Sequence, residues 1–273
     1  MDKFKKITAY VLSILLTVLV SALFLLVVLN VTILNKNNVR KQLHQVDYAY
    51  RISDIIVDST KDYILQSGFD ESILNKDFIR QESQTDISNV IDVIFDGAEL
   101  KVSTDEIEKK LDENIESFVT ENDYVVSDET QKGIDQFKDS IKQKYEKNVV
   151  YDAQTVKEIS KYAVKAKKDI WIAIAIVAAI GLAIGFIIFK LYRPAISTAF
   201  LATGIMFTAV KFFSEINIAI SNVLVLNRPF SDFVIRLFRQ VTQYVMISGF
   251  IFITVGLILA IFFETQSKRY RGE

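Results

Sequence analysis

The chain has 273 residues, is 51% hydrophobic and 24% charged, carries a formal net charge of −1, and contains no cysteine. So much apolar sequence beside a full complement of charge points to separate apolar and polar blocks, not to one soluble core. The lack of cysteine excludes disulfides, thiolate catalysis and cysteine-ligated zinc.

After a basic segment, residues 1–6, the first apolar block runs from Ile7 to Leu34 with no charged residue. A bilayer core needs about 20 helical residues, so this block is long enough to cross. It is too long for the apolar stretch of a cleaved secretory signal, and an uncleaved signal-anchor is expected.

Asn35 to Asp169 holds 20 basic and 28 acidic residues, a net of −8. That balance disfavours nucleic acid, which needs a basic face. Helical periodicity runs through the whole segment. Val39, Leu43, Val46, Tyr50, Val57 and Ile64 form one seam, and with no Gly or Pro before Gly68 the first span is expected to continue into it unbroken. A second helix carries Ile87, Ile91, Ile94 and Phe95 and ends near Gly97. A short strand at "AELKV" is weakly signalled. Ser103 and Glu106 have capping-box spacing before Ile107, Leu111, Ile115, Phe118 and Val119. Ser127 starts a fourth helix with Ile134, Phe137, Ile141 and Tyr145 inward. Asp152 caps a fifth, with Val156, Ile159, Ala163 and Ala166, which leads straight into the next apolar block. Two helical connections of this kind would transmit tilt or rotation.

The block from Ile170 to Phe213 would be about 66 Å long as one helix, twice the bilayer core, with Lys190 and Arg193 at its middle. Pro194 also disfavours a continuous helix. Two spans, 170–189 and 195–213, joined by a turn at 190–194 remove the conflict. The second proline, Pro229, marks a further turn at 227–230 inside an outer hairpin, residues 214–243. Phe230, Phe233, Val234, Leu237, Phe238 and Val241 then follow an amphipathic period, with Arg236, Arg239 and Gln240 on the other face, leading into a last span at 244–263 and a basic tail at 264–273.

The expected fold is an all-α integral membrane protein: four transmembrane helices, with a helical extracytoplasmic domain, residues 35–169, inserted between the first two. Lys3, Lys5, Lys6, Lys190, Arg193, Lys268, Arg269 and Arg271 lie in short segments on one side, which makes that side and both termini cytoplasmic. The reverse orientation draws on Lys165, Lys167, Lys168, Arg228, Arg236 and Arg239 opposite.

Gly181 and Gly185 form a GxxxG pattern, with Ala175, Ala179 and Ala183 at the same interval. Such faces let helices approach closely, either within the chain, the favoured reading, or in a homo-oligomer. Lys211 and Glu215, four apart at a span end, form an expected local ion pair, with an ion pathway as the alternative. Arg236 and Arg239 are candidates for lipid headgroups. The acids between Glu121 and Thr130 lack EF-hand spacing and its central glycine, so a solvated loop is expected rather than calcium. His44, the sole histidine, has no partner nucleophile in the sequence and reads as a surface residue. The H-E-x-x-H, G-x-S-x-G, P-loop and S-x-x-K motifs do not occur. No enzyme activity, cofactor or metal is expected.

The stretch "SGFDESILNKDFIRQESQTDISNVIDVIFDGAELKVSTDEIEKKLDENI", Ser67 to Ile115, resembles a family of membrane proteins of low-G+C Gram-positive bacteria. These share an "SG-x-x-ES-x-L…I-x-x-x-ID-x-IF-x-G" run, an amino-terminal span, a helical outer domain and three carboxy-terminal spans. The resemblance implies the same layout and brings no activity with it. A non-enzymatic envelope protein is expected, its outer domain binding a partner or sensing a condition. The alternative is an oligomeric channel or transporter subunit. The bilayer, an envelope protein or a second copy are the expected partners.

Overall fold

The computed structural model describes residues 3–70, 73–101, 104–150, 153–221 and 228–271, the side chains of 211–221 and 267–271 excepted. The described residues form helices and irregular connections, with no strand. In chain order the helices are α1 (Lys3–Val31), α2 (Lys36–Gln45), α3 (Tyr48–Gln66), α4 (Lys76–Asp96), α5 (Asp105–Glu121), α6 (Asp128–Val149), α7 (Ala153–Leu191), α8 (Pro194–Ser221) and α9 (Arg228–Arg271). Three of them, α1, α7 and α9, are long and apolar enough to cross a membrane; in α8, Pro194–Val210 is a shorter apolar helix. The chain divides into two compact units, Met1–Asn38 with Ala166–Glu273, and Val39–Lys165.

In the first unit the expected break at 190–194 is present. α7 stops at Leu191 and α8 starts on Pro194, a position where the missing amide proton costs nothing. Tyr192 and Arg193 close the turn by accepting hydrogen bonds from the amides of Ala195 and Ile196. Lys6 lies over the Tyr192 ring at 5.5 Å, so the basic start of α1 and this basic turn share one end of the unit. The second turn, expected at 227–230, is not found at its described residues 228–230. Arg228, Pro229 and Phe230 already form the first turn of α9, and α8 reaches Ser221, because proline is tolerated in a first turn. Residues 222–227 lie outside the described residues.

α9 joins the amphipathic stretch and the last apolar block in one helix, as the periodicity requires. Its inward line differs from the expected one. Phe233 and Val245 are buried, whereas Phe230, Val234 and Phe238 are exposed. Two packed centres hold the unit. Ala9 and Leu16 of α1 meet Ile188 of α7 and Ala195 and Ala199 of α8. Val28, Phe207 and Val245 form the other, where the rings of Phe24, Phe207 and Phe252 stand 5.6–5.9 Å apart. Along α1, Ser13, Thr17 and Ser21 recur every fourth residue, and the first two meet α8: Thr17 Oγ1 donates to the Ala199 carbonyl at 3.3 Å and Thr198 Oγ1 donates to Ser13 Oγ at 3.4 Å. Small hydroxylated residues allow this close approach.

In the second unit, and at its start, the expected unbroken helix is interrupted twice. Asn35 Oδ1 accepts from the Asn38 amide at 3.1 Å and starts α2. Asp47 then takes a left-handed conformation, φ 50°, between α2 and α3, which aspartate tolerates better than most residues. That residue resets the helical phase. The buried line of α3 is therefore Ile52, Ile56, Thr60 and Ile64, and Tyr50 is exposed.

Further along, Ile87, Ile91 and Phe95 of α4 are buried as expected, and Gly97, φ 67°, ends the helix. Ile107, Leu111 and Ile115 of α5 are buried. Thr104 precedes α5 without a side-chain cap, and Ser103 of the expected box lies outside the described residues. Ser127 caps α6 as expected, accepting from the Thr130 amide at 3.2 Å, and Ile134, Phe137, Ile141 and Tyr145 all point inward. Asp152 lies outside the described residues. In α7 the inward residues are Val156 and Ser160, whose hydroxyl donates to the Val93 carbonyl, while the expected Ile159 and Ala166 are exposed. Ala98–Lys101 has no regular structure, so the expected strand is absent from these described residues.

Candidate interaction surfaces

The second unit carries an apolar hollow of about 360 Å³ at the α5–α6 connection. α5 ends at Glu121, and Asp123, φ 54°, turns the chain so that Tyr124–Ser127 runs without helix to the Ser127 cap. Tyr124 folds back and stacks on Phe118, with ring centroids 5.8 Å apart and planes at 17°. Phe69, presented by the left-handed Gly68 after α3, packs on Phe118 at 5.4 Å and on Phe137 at 5.3 Å. The sequence thus places an aromatic floor under Val125, which is 90% exposed. Among the described residues no acid lines the hollow; Glu121, Asp123, Asp128 and Glu129, next in sequence to its lining residues Tyr124, Val125, Val126 and Thr130, are exposed. An apolar hollow with exposed acids in the same connection suits an apolar anchor flanked by basic residues.

Of the expected acidic loop, residues 121–130 are exposed, and Asp128, Glu129 and Thr130 already belong to α6. His44 is exposed on α2, with Nε2 3.5 Å from Gln84 Nε2. Arg236 and Arg239 are exposed on α9. Lys211 and Glu215 belong to α8, but their side chains lie outside the described residues.

The small-residue face of α7 is not brought against another helix. Ala175, Ala179 and Ala183 are exposed, and a Cβ added at Gly181 or Gly185 would meet nothing within 4 Å. The favoured reading of that pattern, packing within the chain, is therefore not what the structure shows. The close glycine crossing lies instead between α8 and α9. A Cβ at Gly204 would sit 2.7 Å from the Gly249 carbonyl oxygen, and one at Gly256 would sit 2.7 Å from Leu201 Cγ. In sequence, Gly249 and Gly256 are seven apart in one helix and Gly204 is alone in another, so no local pattern announces them.

Sequence reasoning also missed two polar pairs. Asn38 and Gln240 exchange two hydrogen bonds of 2.8 Å each, and Asn38 Nδ2 also donates to the Thr32 carbonyl at 3.0 Å. Gln240 is thus turned toward Asn38, not grouped with the exposed arginines. Removing one amide strands its partner, at about 1–3 kcal/mol, while the pair itself is worth about 1 kcal/mol. Asn38→Ala and Gln240→Ala should therefore each destabilise, and the double variant should lose little more than either single one. A double-mutant cycle on denaturant unfolding in detergent measures that coupling. The second pair, Asp86 with Tyr145, lies in the second unit's core.

Comparison of the chain with protein-family models, with curated proteins and with solved structures finds no match.

Proposed function

We propose that this is a four-span membrane protein of the bacterial envelope whose helical domain, residues 35–169, binds a protein partner outside the cytoplasmic membrane. α8 supplies the fourth crossing beside α1, α7 and α9. The exposed apolar residues of α7, among them Trp171 and Leu182, face hydrocarbon, and Arg236 and Arg239 face headgroups. The shared basic end, with Lys6 near Tyr192, supports cytoplasmic termini. The envelope setting rests on the resemblance carried by Ser67–Ile115.

One observation carries the reading of function: the aromatic hollow beside the exposed Val125, in a connection whose acids are exposed. Its partner is a protein segment that offers one large apolar side chain beside lysine or arginine. A photo-crosslinking amino acid at Val125 should give one discrete adduct in native membranes. Its yield should fall on replacing Asp123, Asp128 and Glu129 by their amides, or on raising salt to about 0.5 M. Adducts of the protein with itself alone, or a yield indifferent to charge and salt, would overturn the partner reading. The chain lacks cysteine, so Ser127→Cys is a unique label for topology. An impermeant maleimide should reach it in intact protoplasts; labelling only after lysis would reverse the orientation.

The open Gly181/Gly185 face favours a second reading, an oligomeric channel or transporter subunit assembled through α7. Cysteines introduced at Ala179 should then crosslink between copies, and reconstituted vesicles should pass ions. Monomeric, silent vesicles would remove it.

A further inference from the structure

Away from the aromatic hollow, α2, α3 and α4 enclose a second cavity, of about 140 Å³. We propose that it binds a small organic carboxylate bearing one ring-sized apolar group.

Size sets the first limit: an apolar cavity of about 150 Å³ accommodates a single benzene. Leu43, Ile87 and Ile91 line one side of the cavity, and the two isoleucines are buried. That side favours a hydrocarbon body over a hydrated inorganic ion.

The rest of the lining is rich in donors. The Arg80 guanidinium lies over the Tyr50 ring, 4.9 Å from its centroid, which holds its plane while its N–H edges remain free to point elsewhere. Arg40 reaches Asp92 through Nη2 at 2.5 Å, while its Nε is buried with no hydrogen-bond partner among the described residues. A buried donor left over in this way is unusual. Gln84 and His44 add an amide and an imidazole from facing helices.

Charge decides the sign. The lining holds Arg40, Arg80 and one acid, Asp47, and Arg40 is paired with Asp92 outside the lining. Arg80 is therefore the cation on which an anion would be held. A carboxylate matches the planar guanidinium edge in two hydrogen bonds. The cavity exists because Asp47, φ 50°, separates α2 from α3. One continuous helix would not fold these side chains around a shared space. This inference is independent of the partner surface at Val125.

Benzoate is the probe, titrated calorimetrically into the full chain in nanodiscs, with empty nanodiscs subtracted. Acetate keeps the charge without the ring, and benzylamine keeps the ring with the opposite charge. Benzoate should saturate at one site per chain, acetate should bind at least about tenfold more weakly, and benzylamine should not bind. Arg80→Gln, at an exposed position, should weaken benzoate about tenfold or more with unchanged circular dichroism. Ser88→Phe, which fills the cavity, should abolish binding. The proposal is overturned by absence of saturation at about 10 mM benzoate. It is equally overturned by acetate or benzylamine matching benzoate, or by indifference to Arg80→Gln.

Discussion

Gly204→Ala is expected to lower the stability of the membrane unit by about 3 kcal/mol, and Gly204→Val by more. The new Cβ would lie 2.6 Å from Ile253 Cγ1 and 2.7 Å from both the Gly249 carbonyl oxygen and the Ile253 amide nitrogen. Two of these three atoms are backbone of α9, so relief requires the helices to separate. Within lipid that separation is costly, because hydrocarbon gives helices little reason to associate other than close van der Waals fit and hydrogen bonds. Gly249 is the reciprocal position: a Cβ there would meet the Gly204 carbonyl oxygen and the Thr208 amide nitrogen, each at 2.9 Å. The two substitutions share one crossing and should not add. Gly181→Ala is the control. It meets nothing within 4 Å, and alanine is favoured over glycine in a helix interior by up to about 1 kcal/mol. Unfolding in mixed detergent micelles, followed by circular dichroism, measures both. Equal losses at Gly204 and Gly181 would show that the α8–α9 contact is not the one that limits stability.

Tyr145→Phe should destabilise the helical domain by about 2–3 kcal/mol at neutral pH, and by less in acid. Tyr145 is fully buried, and its hydroxyl donates to Asp86 Oδ2 at 2.8 Å; Asp86 is itself only 5% exposed. Burial pushes the Asp86 carboxyl above its ordinary range, and the hydrogen bonds from Tyr145 and Asn89 pull it partly back. Burial, with Asp86 beside it, drives the Tyr145 phenol far upward, so the hydroxyl stays a donor at any working pH.

An acid whose folded pKa is raised binds more protons folded than unfolded between its two pKa values. Stability from that group is therefore highest below the unfolded value and falls as pH rises through the raised folded value. Removing the tyrosine hydroxyl lets the Asp86 carboxyl rise further and widens that window. The gap between Tyr145→Phe and the parent should accordingly be largest near pH 7 and shrink toward about pH 4. Glu82, raised by burial and then by Asp86 and Glu106, adds a decline of the same sign to both proteins. Asp86→Asn should make the gap independent of pH over this range. Urea unfolding at pH 4, 5.5 and 7 tests the sequence of effects, and a constant gap in the Asp86-containing pair would refute it.

Local chemistry made much of the chain legible. Pro194 ends one helix and begins another, Ser127 caps α6, and Gly97 closes α4, because each acts on backbone groups within a few residues. The inward faces of α5 and α6 followed from period alone. The line of α3 did not, since one left-handed aspartate shifted its phase, and aspartate at a position such as Asp47 has no unique sequence signal. For the aromatic hollow, Tyr124–Val126 was visible only as part of an acidic loop. Its floor required Phe69, about fifty residues away in sequence, to arrive under Phe118.

The sequence by itself determined the all-helical character, the apolar lengths and the division into a greasy and an acidic part. These follow from composition and from interactions a few residues apart. Only the tertiary structure decided which small-residue faces are used. Ser13 and Thr17 meet α8, and Gly204, Gly249 and Gly256 lie at the crossing of α8 and α9, while the more conspicuous Gly181 and Gly185 stay open. The same holds for Asn38 with Gln240 and Asp86 with Tyr145. A small side chain makes close approach possible, and an amide or carboxyl demands a partner. Neither property names the distant residue that answers it, because that choice depends on how all the helices pack together.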